Sequence, residues 1–162
     1  MNSDPIDTLQ SQWQAELPDL DTSAMGTVAR LNRARALAMQ QITNTLDAAG
    51  SSIADFDVLA TLRRQGPPYR MKPSSIAKAV MLSPSGMTNR IDQLEQAGLV
   101  ERVVDPTNRR VMPVALTPLG VEEAERLVRE MVATEQRVLA GLSSKEQATL
   151  DRLLAKLADV GP

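Results

Sequence analysis

The amino-acid sequence predicts a mainly α-helical protein with one small β-hairpin, an α+β class in which helices dominate. Apolar residues recur at helical spacing through most of the 162-residue chain. Many of these segments begin at Ser, Thr or Asp, the residues that cap helices well. Only two short stretches, LVERVVD (99–105) and VMPVALT (111–117), show the alternation typical of strands.

The first two predicted helices lie before residue 50. Residues 4–17 begin with Asp4 as a cap, and they carry Trp13, the only tryptophan, whose simplest role is that of a hydrophobic anchor. The second helix, residues 23–47, has apolar positions around much of its circumference. Because one neighbouring helix does not cover so wide a face, a partner subunit is expected to bury the excess.

The third predicted helix comes from the segment SSIADFDVLATLRRQG (51–66), in which Ser52 and Asp55 are placed as cap and first-turn acid. Phe56, Leu59 and Leu62 form its apolar stripe. At about 100° per residue Asp57 falls off this stripe, so the sequence predicts that its side chain faces solvent.

Two short helices with a tight turn between them follow, starting near Ser74 and at Ser83, where Ser83 and Pro84 have the pattern of a cap and first residue. Met87, Ile91 and Leu94 are expected to be buried. The opposite face of the second helix carries Ser85, Thr88, Asn89, Asp92 and Gln96. These hydrogen-bonding groups suit contact with base edges and phosphates.

Arg90 lies about 60° from the centre of the apolar stripe, and a guanidinium beside a buried face requires a partner. Two interpretations stay open from the sequence. Arg90 forms a salt bridge to a carboxylate on a neighbouring helix, or it belongs to an anion-binding site.

The two strands are joined by DPTNRR (105–110), whose Arg109 and Arg110 have almost no apolar neighbours. Such a tip is poorly explained by folding and well explained by contact with phosphates or a minor groove. Pro113 lacks a backbone N–H, which predicts an edge position for the second strand. Together, helix-turn-helix and hairpin predict a winged lobe that places a helix in a DNA groove.

The C-terminal part is predicted to be two helices, the first beginning at Thr117 and Pro118 and the second at the capping box Ser143–Glu146. The last helix has an apolar stripe formed by Leu150, Leu153, Leu154 and Leu157. We expect a helical dimerisation region. The predicted division is residues 1–50 (extension and first dimerisation helix), 51–117 (winged lobe) and 118–162 (C-terminal dimerisation helices).

Composition excludes several kinds of chemistry. The chain has no cysteine and no histidine, which rules out disulfides and thiolate or imidazole catalysis, and it has no phosphate-binding glycine motif. We therefore expect no enzyme activity, no cofactor and no metal. No stretch predicts a membrane span or a signal peptide, so a cytoplasmic protein without a membrane partner is expected.

The net charge of −2 hides an uneven distribution of charged residues. Residues 63–110 hold nine basic and four acidic side chains, a balance of +5, whereas the remainder holds nine basic and sixteen acidic ones, a balance of −7. Because nucleic-acid affinity follows local basic surface, the acidic total does not argue against DNA binding.

The stretch from Phe56 to Gly120 resembles the MarR family of winged-helix transcriptional regulators. The matching residues are DVLATLRRQGPPYRMKPSSIAKAVMLSPSGMTNRIDQLEQAGLVERVVDPTNRR followed by VALTPLG. Asn108 departs from the family, which often has Asp before the wing arginine. The resemblance implies a homodimer with intertwined terminal helices that binds a pseudopalindromic double-stranded operator, with half-sites about 10 bp apart. The implied DNA-binding residues are Ser74, Ser85, Thr88, Asn89, Arg109 and Arg110.

Within the family the chain is most similar to the urate-responsive branch, which has an extra N-terminal helix with a tryptophan. The ligand-site pattern of that branch falls here on Trp13, Asp57, Arg90 and Arg102. The resemblance implies a repressor released by a small aromatic anion such as urate or xanthine. Two alternatives remain: the same DNA-binding function with a different phenolic or purine effector or none, and a helical dimeric protein-interaction module.

Overall fold

The computed structural model describes residues 4–104 and 112–159, and within these residues the chain forms helices α1–α7 and strands β1–β3. Three helices precede the first strand: α1 (Pro5–Glu16), α2 (Ser23–Ala48) and α3 (Ile53–Arg64). Then come β1 (Arg70–Met71), α4 (Pro73–Val80), α5 (Pro84–Gln96), β2 (Val100–Arg102) and β3 (Val114–Leu116). The chain continues with α6 (Pro118–Val138) and α7 (Ser144–Ala158). The prediction of a mainly helical protein with a small sheet is confirmed.

Local capping signals set most of these helix starts. Asp4 accepts a hydrogen bond from the backbone of Ile6, and Ser83 and Thr117 cap α5 and α6 in the predicted manner. The predicted capping box beginning at Ser143 is formed in full, and the predicted cap Ser52 and first-turn acid Asp55 also form a capping box. The predicted boundaries agree with the structure because these signals act over only four residues.

The chain divides into two compact units, Met1–Gln41 and Ile42–Pro162. In the first unit α1 is bonded to the beginning of α2. Arg30 pairs with Asp4 at 3.0 Å and also with Asp7, while Gln10 Nε2 donates to the carbonyl oxygen of Thr22 at 3.0 Å. The three-part functional division drawn from the sequence stays a prediction.

The second unit contains a continuous apolar core that places the helix-turn-helix. The stripe Met87, Ile91 and Leu94 is buried as predicted. In α3, Leu59 and Leu62 are buried while Phe56 is only partly covered, and Val58 is fully buried. The predicted stripe missed Val58 because α3 packs against both α4 and α6, so its buried face is wider than one neighbour requires.

The sheet has three strands in the order β1-β3-β2, and both pairings are antiparallel. Strand β1 was not predicted, since two residues are too few to show alternation. Because β1 pairs with the free side of β3, the predicted edge position of the strand after Pro113 is wrong: β3 is central. Pro113 precedes β3 and contributes only its carbonyl oxygen, which accepts a hydrogen bond from the N–H of Val103 at 2.8 Å.

Among residues 4–104 and 112–159, no helix combines the length and the apolar character needed to cross a membrane.

Candidate nucleic-acid interface and anion site

The helix-turn-helix consists of α4, a short turn and α5. Met81 ends α4 in the left-handed conformation, with φ of 55°, and Ser83 then caps α5 by accepting a hydrogen bond from the N–H of Gly86 at 3.1 Å. Burial of one stripe of α5 against α3 and α4 leaves the opposite face exposed. We call α5 the recognition helix.

The predicted DNA-contact residues on these helices are solvent-accessible: Ser74, Ser85, Thr88 and Asn89 are all exposed. Ser74 and Thr88 line the same cleft of about 380 Å³ between α4 and α5. Arg109 and Arg110 lie outside the described residues.

Lys78 is an exposed residue of α4 that also lines this cleft, and the predicted contact set did not include it. A cation on this surface is suited to contact DNA phosphates, because the electrostatic attraction between them does not depend on the base sequence. The sequence did carry a signal for Lys78, because this residue lies in the first helix of the helix-turn-helix and within the basic segment 63–110.

Arg90 forms an ion pair with Asp55 of α3, in which Nη1 lies 2.8 Å from Oδ1. The two side chains are 27% and 20% exposed, so solvent screens the pair only in part. Arg90 therefore has the carboxylate partner that the salt-bridge interpretation predicts, and its role in binding an anion stays a prediction. Both residues line a small cavity of about 160 Å³ that Glu123 of α6 also borders.

Arg102 of β2 contacts two carboxylates of the recognition helix, those of Asp92 and Glu95. Its backbone N–H also donates to Glu95 Oε1 at 3.1 Å. The hydrogen bond that the guanidinium donates to Asp92, together with the charge of both acids, raises the pKa of Arg102 above its ordinary value, although partial burial opposes this. This network ties β2 to the side of α5.

Asp57 is half-buried, which corrects the prediction that its side chain faces solvent. Burial raises the pKa of the Asp57 carboxyl, and the positive charge of Arg64 offsets this rise in part. The carboxylate bound to Arg90 belongs instead to Asp55, about 200° around α3 from Asp57.

Trp13 lies on α1 in the first compact unit, and its side chain is 43% exposed. The other three predicted ligand residues, Asp57, Arg90 and Arg102, lie in the second unit. In that unit Arg90 of the recognition helix pairs with Asp55. Arg102 pairs with two carboxylates of the recognition helix, and Asp57 takes part in none of these ion pairs.

Within the described residues no group of three or more acidic side chains is arranged to hold a metal ion. Two helices with an exposed polar face, followed by a small antiparallel sheet, define a winged helix-turn-helix protein of the DNA-binding class.

Comparison with known proteins identifies the family. A family model described as the MarR family matches residues 52–112. The HTH-type transcriptional regulator PecS of Dickeya dadantii is 36% identical over 152 residues, covering 94% of this chain and 92% of PecS. The HTH-type transcriptional repressor MdtR of Bacillus subtilis is 30% identical over 118 residues, covering 73% and 74% of the two chains. The chain belongs to the MarR family of transcriptional regulators.

Solved structures agree with this assignment. AbsC, a MarR family transcriptional regulator from Streptomyces coelicolor, is 27% identical with a TM-score of 0.73, covering 86% of this chain and 94% of AbsC. BpsR of Bordetella bronchiseptica has a solved structure that concerns the regulation of its DNA binding by 6-hydroxynicotinic acid. BpsR is 26% identical to this chain with a TM-score of 0.68, and the match covers 82% of this chain and 98% of BpsR. The protein is thus a DNA-binding transcriptional regulator and not an enzyme.

Proposed function

We propose that this regulator is a homodimeric repressor that binds a pseudopalindromic operator and releases it when urate or a related aromatic anion binds. The observation that carries the effector proposal is the placement of two partly buried guanidinium groups at the recognition helix: Arg90 on the helix itself, and Arg102 on β2, paired with two carboxylates of the helix. An effector that changes the partners of these groups acts directly on the helix that reads DNA.

Dimer formation is supported by apolar side chains of α7 that stay uncovered in the single chain. Leu150, Leu153, Leu154 and Leu157 are all exposed, although they form one stripe of the helix. A stripe of this kind is unfavourable in water and favourable in an interface. Two winged lobes held by such an interface would read half-sites about 10 bp apart.

For DNA contact, we assign Ser85, Thr88 and Asn89 to the major groove and Ser74 to the phosphate backbone. Arg109 and Arg110 are assigned to phosphates or the minor groove from the sequence alone. Replacing both arginines with Ala is expected to weaken binding to any duplex and to flatten its salt dependence. Unchanged binding would refute the assignment of the wing tip.

An aromatic anion as effector is supported by the similar protein BpsR, whose DNA binding is regulated by 6-hydroxynicotinic acid. From the family resemblance alone, Trp13 is proposed to stack on the planar ligand. In the second unit, Arg90 and Arg102 are proposed to neutralise the charge of the ligand. Asp57 would then gain a like-charged neighbour, which is unfavourable for a carboxylate that burial already disfavours.

The route from effector to DNA is short in this proposal. Asp57 and Asp55 lie on the same helix, and Asp55 holds Arg90 of the recognition helix. A shift of α3 that relieves repulsion at Asp57 is therefore passed to α5, which changes the spacing of the two reading helices.

A mobility-shift assay on the DNA immediately upstream of the protein's own gene, with urate and xanthine titrated in, tests the function. Release at lower concentrations of urate than of neutral purines is expected. Quenching of Trp13 fluorescence measures the binding itself, because there is no other tryptophan. Arg90→Ala should weaken the titration, while Arg129→Ala, which alters an exposed arginine of α6, should not.

The alternative with a different effector, or with none, is favoured by the same ion pairs. Arg90 and Arg102 already have carboxylate partners, so a purely structural role accounts for both. Equal urate titrations for the wild type and Arg90→Ala would support that alternative. The third interpretation, a protein-interaction module without DNA binding, does not agree with membership in a family of transcriptional regulators.

A further inference from the structure

The recognition helix carries an unfavourable net charge for its task. Its sequence, PSGMTNRIDQLEQ, contains one arginine against two acids, a balance of −1. The arginine, Arg90, is paired with Asp55 of α3 and is therefore not free to meet phosphates. A helix that enters a DNA groove in this state requires compensation, since like charges repel.

Asp92 is placed where this charge matters most. At about 100° per residue it lies within roughly 60° of arc of Ser85, Thr88 and Asn89, the exposed side of α5. Its side chain is 45% exposed, and that of Glu95, on the next turn, is 37% exposed. Both carboxylates stand close enough to the groove-facing side to repel phosphates within a Debye length of about 8 Å.

Arg102 masks both of these acids. One guanidinium contacts the carboxylates of Asp92 and Glu95 together, and the backbone N–H of Arg102 adds a hydrogen bond to Glu95. Because this residue is supplied by β2, the compensating charge comes from the wing and not from the helix itself.

We infer that Arg102 is a positioning residue that sets DNA affinity by masking Asp92 and Glu95 on the recognition helix. The inference rests on DNA binding by this lobe and needs no effector. It also deepens the proposed function: an anion that captures Arg102 would uncover two negative charges on the helix that reads DNA, and repulsion from phosphates would follow.

The test measures binding of the full-length protein to a fluorescein-labelled duplex of unrelated sequence, by fluorescence anisotropy at several salt concentrations and without effector. Arg102→Gln should weaken binding about fivefold to tenfold, the size of one exposed charge interaction at each lobe. Asp92→Asn with Glu95→Gln should bind at least as tightly as wild type, because it removes two negative charges from the recognition helix and leaves the charge of Arg102 unpaired. The triple variant should recover wild-type affinity, because nothing then remains to be masked.

Arg126 provides a matched control, since its guanidinium also bridges two glutamates, Glu123 and Glu130, but on α6. Arg126→Gln should leave DNA affinity unchanged, and circular dichroism melts of every variant identify losses that come from unfolding. Arg102→Lys should retain part of the affinity because it keeps the charge. The inference is overturned when the triple variant binds as weakly as Arg102→Gln, which would mean that Arg102 contacts DNA itself.

The same binding measurements repeated with urate distinguish the masking role of Arg102 from the proposal that urate is the effector. The triple variant should bind DNA but lose most of its response to urate. Recovery of DNA affinity in the triple variant together with no urate response in the wild type would support masking and refute the urate proposal. A normal urate response in the triple variant would overturn the link between masking and release.

Discussion

Arg90 Nη1 donates a hydrogen bond to Asp55 Oδ1 at 2.8 Å, and this ion pair joins the recognition helix to the first turn of α3. The other carboxylate oxygen of Asp55 accepts hydrogen bonds from the hydroxyl and the N–H of Ser52, at 2.6 and 3.3 Å. One carboxylate therefore completes the cap of α3 and fixes Arg90, so the start of one helix and the orientation of the next depend on the same group.

A double-mutant cycle on Arg90→Met and Asp55→Asn should reveal this dependence. We expect a coupling energy of about 1 kcal/mol in urea unfolding, at the upper end for surface pairs because both side chains are mostly covered. Arg70→Met, which alters an exposed arginine on β1, serves as the control and should change stability by less than about 0.5 kcal/mol. Strictly additive losses would show that the pair contributes no stability.

At Gly120 the helix α6 lies very close to the backbone of Leu99, the residue before β2. A Cβ atom at this position would lie 1.8 Å from the carbonyl oxygen of Leu99, a backbone atom that no rotamer change moves away. Gly120→Ala should therefore cost about 3 kcal/mol or more in thermal or urea unfolding. Gly141→Ala meets nothing within 4 Å and should be nearly neutral, so similar losses for the two variants would contradict the close approach.

Met81 occupies the left-handed region with φ of 55°, and its side chain is 92% exposed. A side chain other than glycine is strained there, while so exposed a methionine loses little packing when removed. Met81→Gly should raise the free energy of unfolding by about 0.5 kcal/mol. Met39→Gly, in the interior of α2, should instead lower it, and a loss at both positions would argue against strain at Met81.

Asp57 should give the protein a pH-dependent stability. Its pKa is raised in the folded state, so ionisation disfavours folding: the penalty is absent below the unfolded pKa, about 3.9, grows as the pH rises from there to the folded pKa, and is constant at higher pH. Asp57→Asn should raise the melting temperature by about 1–2 °C at pH 7, after allowing for solvent screening, and have no effect near pH 3. An equal gain at both pH values would point to a cause other than charge.

The exposed leucine stripe of α7 predicts that the protein is a dimer. Leu153→Glu with Leu157→Glu places two charges in the proposed interface, so sedimentation should show a monomer where the wild type is a dimer. Val104→Glu, at an exposed valine after β2 and outside the predicted dimerisation helices, should stay dimeric. A wild type that sediments as a monomer would refute the dimer proposal directly.

Much of the fold was predictable because its signals are local. The caps at Ser52, Ser83 and Ser143, together with the stripe Met87, Ile91 and Leu94, act over one or a few helical turns and were predicted correctly. The central position of β3 was not, since it depends on β1, a strand of two residues that exists only through its pairing with β3. Lys78 was not in the predicted contact set, although it belongs to the basic segment 63–110; the structure shows it exposed and lining the same cleft as Ser74 and Thr88.

The sequence by itself determined the winged helix-turn-helix, its family and the exposed polar face of the recognition helix, because propensities, caps and periodicity are encoded by neighbouring residues. Only the tertiary structure decided which charges meet. Asp55 and Arg90 are 35 positions apart, and Arg102 reaches back from the wing strand to Asp92 and Glu95. Such ion pairs, and the burial of Asp57, depend on how whole helices and strands pack. Local sequence patterns do not specify which residues far apart in the chain lie close together in space.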